Sequence, residues 1–150
     1  MNGNERMPRF EEKSELAEIF GSLEMGEMAG RADSFSDLDV YQDACALDLA
    51  IFEETKSWPK EEMYSLTDQI RRSSRSVGAN IAEAWAKRRY PAHFTSKLTD
   101  ADGELQETQH WLNRAKAYGY LETCAFEVLT MRSKQVGRRL GAMMNSGDWS

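Results

Sequence analysis

Apolar residues recur along the chain at helical spacing, in four long segments. The clearest is 66–90, LTDQIRRSSRSVGANIAEAWAKRRY, where Leu66, Ile70, Val77, Ile81 and Trp85 form one stripe and small Ser73 and Ser74 fill its gap. Intervals of three, four and seven mark one buried helical face. A first helix is expected from Ser36 or Asp37 to about Thr55, with Val40, Ala44, Leu47 and Ile51 inward and Tyr41 and Phe52 flanking. Ser36 suits an N-cap, and Asp37 and Asp39 suit the positive end of the helix dipole.

The second helix is expected to open at Pro59, a residue suited to a first turn, and to run through Met63 and the stripe above to about Arg89. Gly78 in its interior costs roughly 1 kcal/mol against alanine, a loss that close approach of a neighbouring helix would offset, aided by Ser73, Ser74 and Ala79. Tyr90-Pro91 ends that helix, because the residue before proline avoids helical geometry. The third runs from Pro91 or Ala92 to about Tyr118, with Phe94, Leu98, Ala101, Leu105, Thr108, Leu112 and Ala115 at heptad spacing and Gly119 as its stop. The fourth begins after Leu121 and carries Phe126, Leu129, Val136, Leu140 and Met143 inward. No segment alternates as a strand would. The pattern predicts an all-α, antiparallel up-and-down four-helix bundle over 37–146. Residues 1–36 read as a flexible or partner-ordered acidic extension with one weak helix, and 147–150 as a short tail.

Composition narrows the class. The 150 residues suffice for one core, and no run of about 18 apolar residues is available for a membrane span. The charged start MNGNERMPRFEEK lacks the apolar centre of a secretory signal. Cys45 and Cys124, far apart within amphipathic segments, read as buried free thiols of a reducing compartment, so the expected location is the cytoplasm.

Charge changes the picture more. The net charge is −6, yet residues 68–99 hold seven basic and two acidic side chains. Arg71, Arg72 and Arg75 lie within about a turn of one another on the second helix, and Lys87, Arg88 and Arg89 end it. Arg132, Lys134, Arg138 and Arg139 add positive charge to the fourth. Such rows can neutralise the phosphates of RNA or DNA. The competing reading pairs them with carboxylates of adjacent helices or subunits, and it stays open. No aromatic residues interleave with them as a stacking platform. Asn80 and Glu83 sit near the buried stripe, where polar groups can set helix register.

Catalytic patterns are weak. Glu107 and His110 fit the Glu-x-x-His spacing of di-iron bundles once, and no second copy follows. There is no Gly-x-Ser-x-Gly turn, phosphate loop or zinc spacing. A non-enzymatic protein without catalytic residues, metal or cofactor is expected. Trp58, Trp85 and Trp111 read as core and interface anchors.

Three runs, WPKEE at 58–62, LTDQIRRSS at 66–74 and SVGANIAEA at 76–84, together with Phe94, Leu98, Asp102, Gly103, Glu104, Leu105, Glu107, Thr108 and the Gly119-Tyr120-Leu121 turn, carry a resemblance. Over about 37–143 the chain resembles the bacterial four-helix bundle proteins first noticed as reading frames inside 23S ribosomal RNA intervening sequences. The resemblance implies a ring-like homopentamer. It also implies kinship to the accessory variability determinant proteins of diversity-generating retroelements, which bind a reverse transcriptase and its template RNA. Two features depart from the family pattern: the acidic extension, and Ala84 where glycine is common. The expected function is therefore an oligomeric accessory or scaffold protein that binds RNA, or a nucleic-acid-processing partner such as a reverse transcriptase. The alternative is a structural or regulatory homo-oligomer with no nucleic-acid role.

Overall fold

A computed structural model describes residues 31–146. The weak helix expected within 1–30 and the tail 147–150 lie outside the described residues. Four long helices follow a short 3-10 turn: α1 (Asp39–Thr55), α2 (Leu66–Ala86), α3 (Pro91–Ala117) and α4 (Thr123–Asn145). No strand occurs among the described residues, and the fold is an all-α four-helix bundle. Each helix packs against its neighbours in the cycle α1–α2–α3–α4–α1, and the diagonal pairs do not meet.

The stripes read from the sequence form the core. Ile51, Ile70, Val77, Ile81, Leu98, Leu112, Val136 and Leu140 are fully buried. All seven heptad positions of α3 are buried, Thr108 included. Its hydroxyl bonds Ser73 Oγ of α2 at 2.9 Å and the Glu104 carbonyl at 2.8 Å, while the Ser73 hydroxyl bonds the Ile70 carbonyl at 3.2 Å. The small pair therefore brings α2 and α3 together with its polar atoms satisfied. Gly78 is buried beside α1, but a Cβ there would meet Tyr41 Cε2 at 3.7 Å and Cys45 Sγ at 3.8 Å, which is ordinary contact. Close approach is thus not what this glycine supplies, and Ala79 is exposed.

Several boundaries differ from the sequence reading. Helix α1 starts at Asp39, not Ser36 or Asp37, because a separate 3-10 turn (Phe35–Asp37) precedes it. Ser34 caps that turn, and the Asp37 carboxylate accepts from the Ser34 N–H at 2.9 Å, a reciprocal capping box. Phe35 packs edge-on to Tyr41 at 4.9 Å, and Ala32 and Phe35 lie against the core, so residues 32–36 pack with the bundle.

Helix α2 starts at Leu66, not Pro59. Pro59 is extended (ψ 137°) and leads into a 3-10 turn, Lys60–Glu62. The Glu62 carboxylate then turns back to accept from the Ser65 hydroxyl and the Leu66 N–H, supplying the acceptor that orphan donors at a helix start need. These bonds, the Ser65 hydroxyl first, hold the Glu62 carboxyl below its ordinary range. Met63 is consequently exposed rather than inward. The helix ends at Ala86, so Lys87, Arg88 and Arg89 lie in the following turn. Both cysteines are exposed, which corrects the expectation of buried thiols: the face of α1 that carries Cys45 looks outward beside α2, and Cys124 sits in the first turn of α4.

Helix α3 closes on Gly119, whose φ of +79° is in the left-handed region. The Tyr120 N–H bonds the Ala115 carbonyl at 3.0 Å and the Gly119 N–H bonds the Lys116 carbonyl at 3.1 Å, a complete Schellman closure. A Cβ at Gly119 would meet nothing within 4 Å, so its cost is conformational alone. Gly119→Ala should lower stability by about 1 kcal/mol, with Gly119→Asn milder, as measured by urea denaturation.

Candidate nucleic-acid interface

Helical periodicity distributes the ten basic candidates over several faces. Residues 71 and 75 share the edge of α2 that faces α1. The Arg71 Nε bonds Thr55 Oγ1 at 2.8 Å, and its guanidinium lies 4.9 Å from the Phe52 ring centre. Arg75 lies 5.9 Å from the same ring, with Nε 3.9 Å from Asp48 Oδ1. Phe52 thus underlies both arginines, a cation–π partner on another helix that the basic run itself does not reveal. Arg72 is turned toward α3, where its charge offsets part of the burial that raises the Glu104 carboxyl.

At the far end of α2, Arg88 folds back. Its Nη1 donates to the Trp85 carbonyl at 2.9 Å, and its guanidinium stacks 4.4 Å from the Trp85 ring centre. Trp85 is half-buried, as is Trp111, whereas Trp58 is in the core. On α4, Arg139 reaches the opposite neighbour, α1. Its Nη1 is 2.9 Å from Asp39 and its Nε 2.7 Å from Asp43. Among the described residues no ion pair or side-chain hydrogen bond holds Lys87, Arg89, Arg132, Lys134 or Arg138. Lys87 acts on Glu83 only through its longer-range field.

The polar pair expected to fix register divides. Asn80 donates to the Ser76 carbonyl of its own helix at 2.9 Å. Glu83 is exposed and meets Lys97 of α3 at 2.7 Å, so its cationic partner lies on the next helix. The Lys97 ammonium holds the Glu83 carboxyl below its ordinary range, and Glu83 in turn raises Lys97. Of the α3 carboxylates, Asp100 reaches Lys97 at 3.5 Å and Glu107 accepts from Trp111 Nε1 at 3.1 Å. Among the described residues no three His, Cys, Asp or Glu side chains converge as a metal set, and no helix is long and apolar enough to cross a membrane.

The α3–α4 side is not marked as a surface by the sequence. There Leu105, Gln106 and Gln109 of α3 and Ser133, Lys134, Gly137 and Arg138 of α4 line a cleft of about 360 Å³. Its accessible lining is more apolar than polar, through Leu105, Gly137 and side-chain stems, and it gathers two of the unpaired cations.

The family model described as "23S rRNA-intervening sequence protein" matches residues 36–142. A solved structure of a protein of unknown function from the S23 ribosomal protein family of Bacteroides thetaiotaomicron is 27% identical, with a TM-score of 0.65. That match covers 71% of this chain and 96% of the other. No curated protein matches the chain. Neither similarity points to a retroelement or a reverse transcriptase.

Substitution separates the structural charges from the free ones. Arg71→Met removes a charged hydrogen bond and a ring contact and should cost about 1–2 kcal/mol, whereas Arg138→Met should stay within about 0.5 kcal/mol, both read by urea denaturation. The same edge of α1 also sets a response to acid. Burial raises the Asp48 carboxyl above its ordinary 3.8, against the opposing pull of Arg75 and Ser74. The folded state then binds the proton more tightly than the unfolded chain, so this group's contribution falls as pH rises from the unfolded value through the raised folded one. Asp48→Asn should flatten that decline and raise stability at neutral pH, as followed by thermal melts across the acid range.

Proposed function

Because the chain belongs to the 23S rRNA-intervening sequence protein family, we propose that it is a non-enzymatic accessory or scaffold protein that binds RNA and works as a homo-oligomer. The observation that carries this reading is the set of cations without protein partners. Lys87, Arg89, Arg132, Lys134 and Arg138 remain available for phosphate in a chain whose overall charge is negative. Cations left unpaired within an acidic protein are the group a polyanion can use without first breaking internal ion pairs. Lys87 and Arg89 follow the end of α2. Arg138 lies toward the end of α4, and both ends meet the first half of α3, through Glu83–Lys97 and Thr99–Met144. The free charge is therefore weighted toward one end of the bundle. Five copies, the number implied by the resemblance, would repeat that charge in every subunit. A nucleic-acid-processing protein, a reverse transcriptase among them, is the kind of partner such a scaffold would serve.

A structural or regulatory homo-oligomer without a nucleic-acid role is the second reading. It is favoured by Arg75 on Asp48 and by Arg139 on Asp39 and Asp43, which engage two of the candidate charges within the subunit. Filter binding with a single-stranded RNA, combined with native mass spectrometry, decides between them. RNA binding should appear at low salt and weaken with a slope of roughly 0.7 decades per decade of salt for each phosphate neutralised. Absence of affinity at low salt, and none gained with a co-purified partner, leaves the structural oligomer.

A further inference from the structure

We propose that the cleft between α3 and α4 holds one ribose-phosphate unit, with the phosphate on Lys134 and Arg138 and ribose hydroxyls on Gln106, Gln109 and Ser133. The inference rests on the RNA-binding reading and names where, and through which chemistry, one nucleotide is gripped.

The cleft has the attributes of a site rather than of a gap. It is open to solvent on one side, and its volume of about 360 Å³ leaves room for a sugar with its phosphate. Lys134 and Arg138 are one turn apart on α4 and so project along the same edge, and neither has a carboxylate partner among the described residues. Two adjacent cations without a counter-charge attract an oxyanion, and a guanidinium beside an ammonium offers both a fork and a point charge to it.

The neutral lining speaks to the sugar. Ser133 is 4% exposed, yet its hydroxyl makes no hydrogen bond among the described residues. Its oxygen still reaches solvent, so a partner seated in the cleft could meet it. The Gln109 amide is held by its nitrogen, which donates to Asn113 Oδ1 and Thr130 Oγ1, both at 3.2 Å. Its Oε1 is left buried with no donor. That oxygen is sealed as the side chain lies, so the hydroxyl donors of a ligand would reach it once the amide turns toward the cationic cleft. Inorganic phosphate brings charge and its own P–OH but no sugar hydroxyls, and deoxyribose supplies fewer of those than ribose. Gly137 keeps the floor open: a Cβ there would already touch Leu105 Cδ2 at 3.4 Å, and a larger side chain would occupy the space.

The chemistry has two sources, an RNA strand or a free ribonucleotide, and the experiment separates them. Full-length protein labelled with 15N is titrated with a single-stranded RNA, the DNA of the same sequence, a ribonucleoside monophosphate and inorganic phosphate. The side-chain amide signals of Gln106 and Gln109 and the backbone signal of Gly137 are followed. RNA should shift all three, with DNA weaker. The monophosphate shifting them as strongly as RNA at equal concentration identifies the free nucleotide as the source and still supports the site. Lys134→Gln/Arg138→Gln should abolish the shifts, weaken RNA binding at least about tenfold and reduce the salt slope by about 1.4, two cations at roughly 0.7 each. Gly137→Leu, with its fold checked by circular dichroism, should block the shifts while leaving both charges in place. RNA binding that persists in the double variant with its slope unchanged overturns the cleft and spares the RNA-binding reading. No shift of these signals with any of the four additives overturns the cleft outright. Shifts with the monophosphate in a protein that fails to bind RNA keep the cleft and remove the wider reading.

Discussion

The seam between α2 and α3 is the constraint on which the rest of the bundle depends. Helix α3 offers an unbroken heptad from Phe94 to Ala115, and α2 answers with Ile70, Val77 and Ile81 around a notch at Ser73. Thr108 enters that notch and bonds Ser73, so the two helices meet through a polar pair that is fully satisfied inside an apolar seam. A hydroxyl pair of this kind favours one register, because sliding either helix by a turn would break the bond between them, worth about 1 kcal/mol, and leave each hydroxyl only the carbonyl of its own helix. With that register set, α1 and α4 complete the cycle largely through aliphatic packing.

The same geometry decides what becomes of the positive charge. A cluster along the sequence is not a cluster in space once it is wound at 3.6 residues per turn. Arg71 and Arg75 fall to the α1 side and settle over Phe52, while Arg72 turns toward α3. Arg139 is claimed by two aspartates of α1. What remains free is set by which helix edges happen to face carboxylates. On α4 the edge toward α1 finds Asp39 and Asp43, whereas Lys134 and Arg138 look over the amides of α3.

Much of the fold is legible in the sequence because it rests on periodicity. Most inward positions of the four helices, from Val40 to Met143, follow from spacing alone, and Gly119 follows from the need for a left-handed stop. The starts of α1 and α2 are not legible, since they are decided by side chains acting at a distance of a few residues. The Ser34–Asp37 capping box and the back-turned Glu62 each displace a helix start that Ser36 and Pro59 signal locally. Pattern alone also misjudges the thiols, because an amphipathic segment buries only one of its faces and a cysteine can sit on either. The candidate site is legible as a set of charges but not as a surface. Nothing in the one-dimensional pattern pairs Gln109 with Lys134, or Phe52 with Arg71, because those pairings are made by helix packing.

The exposure of Cys45 and Cys124 has a practical bearing on assembly. In the homo-oligomer proposed above, accessible thiols could oxidise to bridges between copies, and such bridges would freeze whichever neighbours happened to be in contact. Stoichiometry is therefore meaningful only in the presence of reductant. The same two sulfurs, one midway along the first helix and one at the head of the last, offer native attachment points for fluorophores, through which subunit exchange could be watched without altering the charged faces.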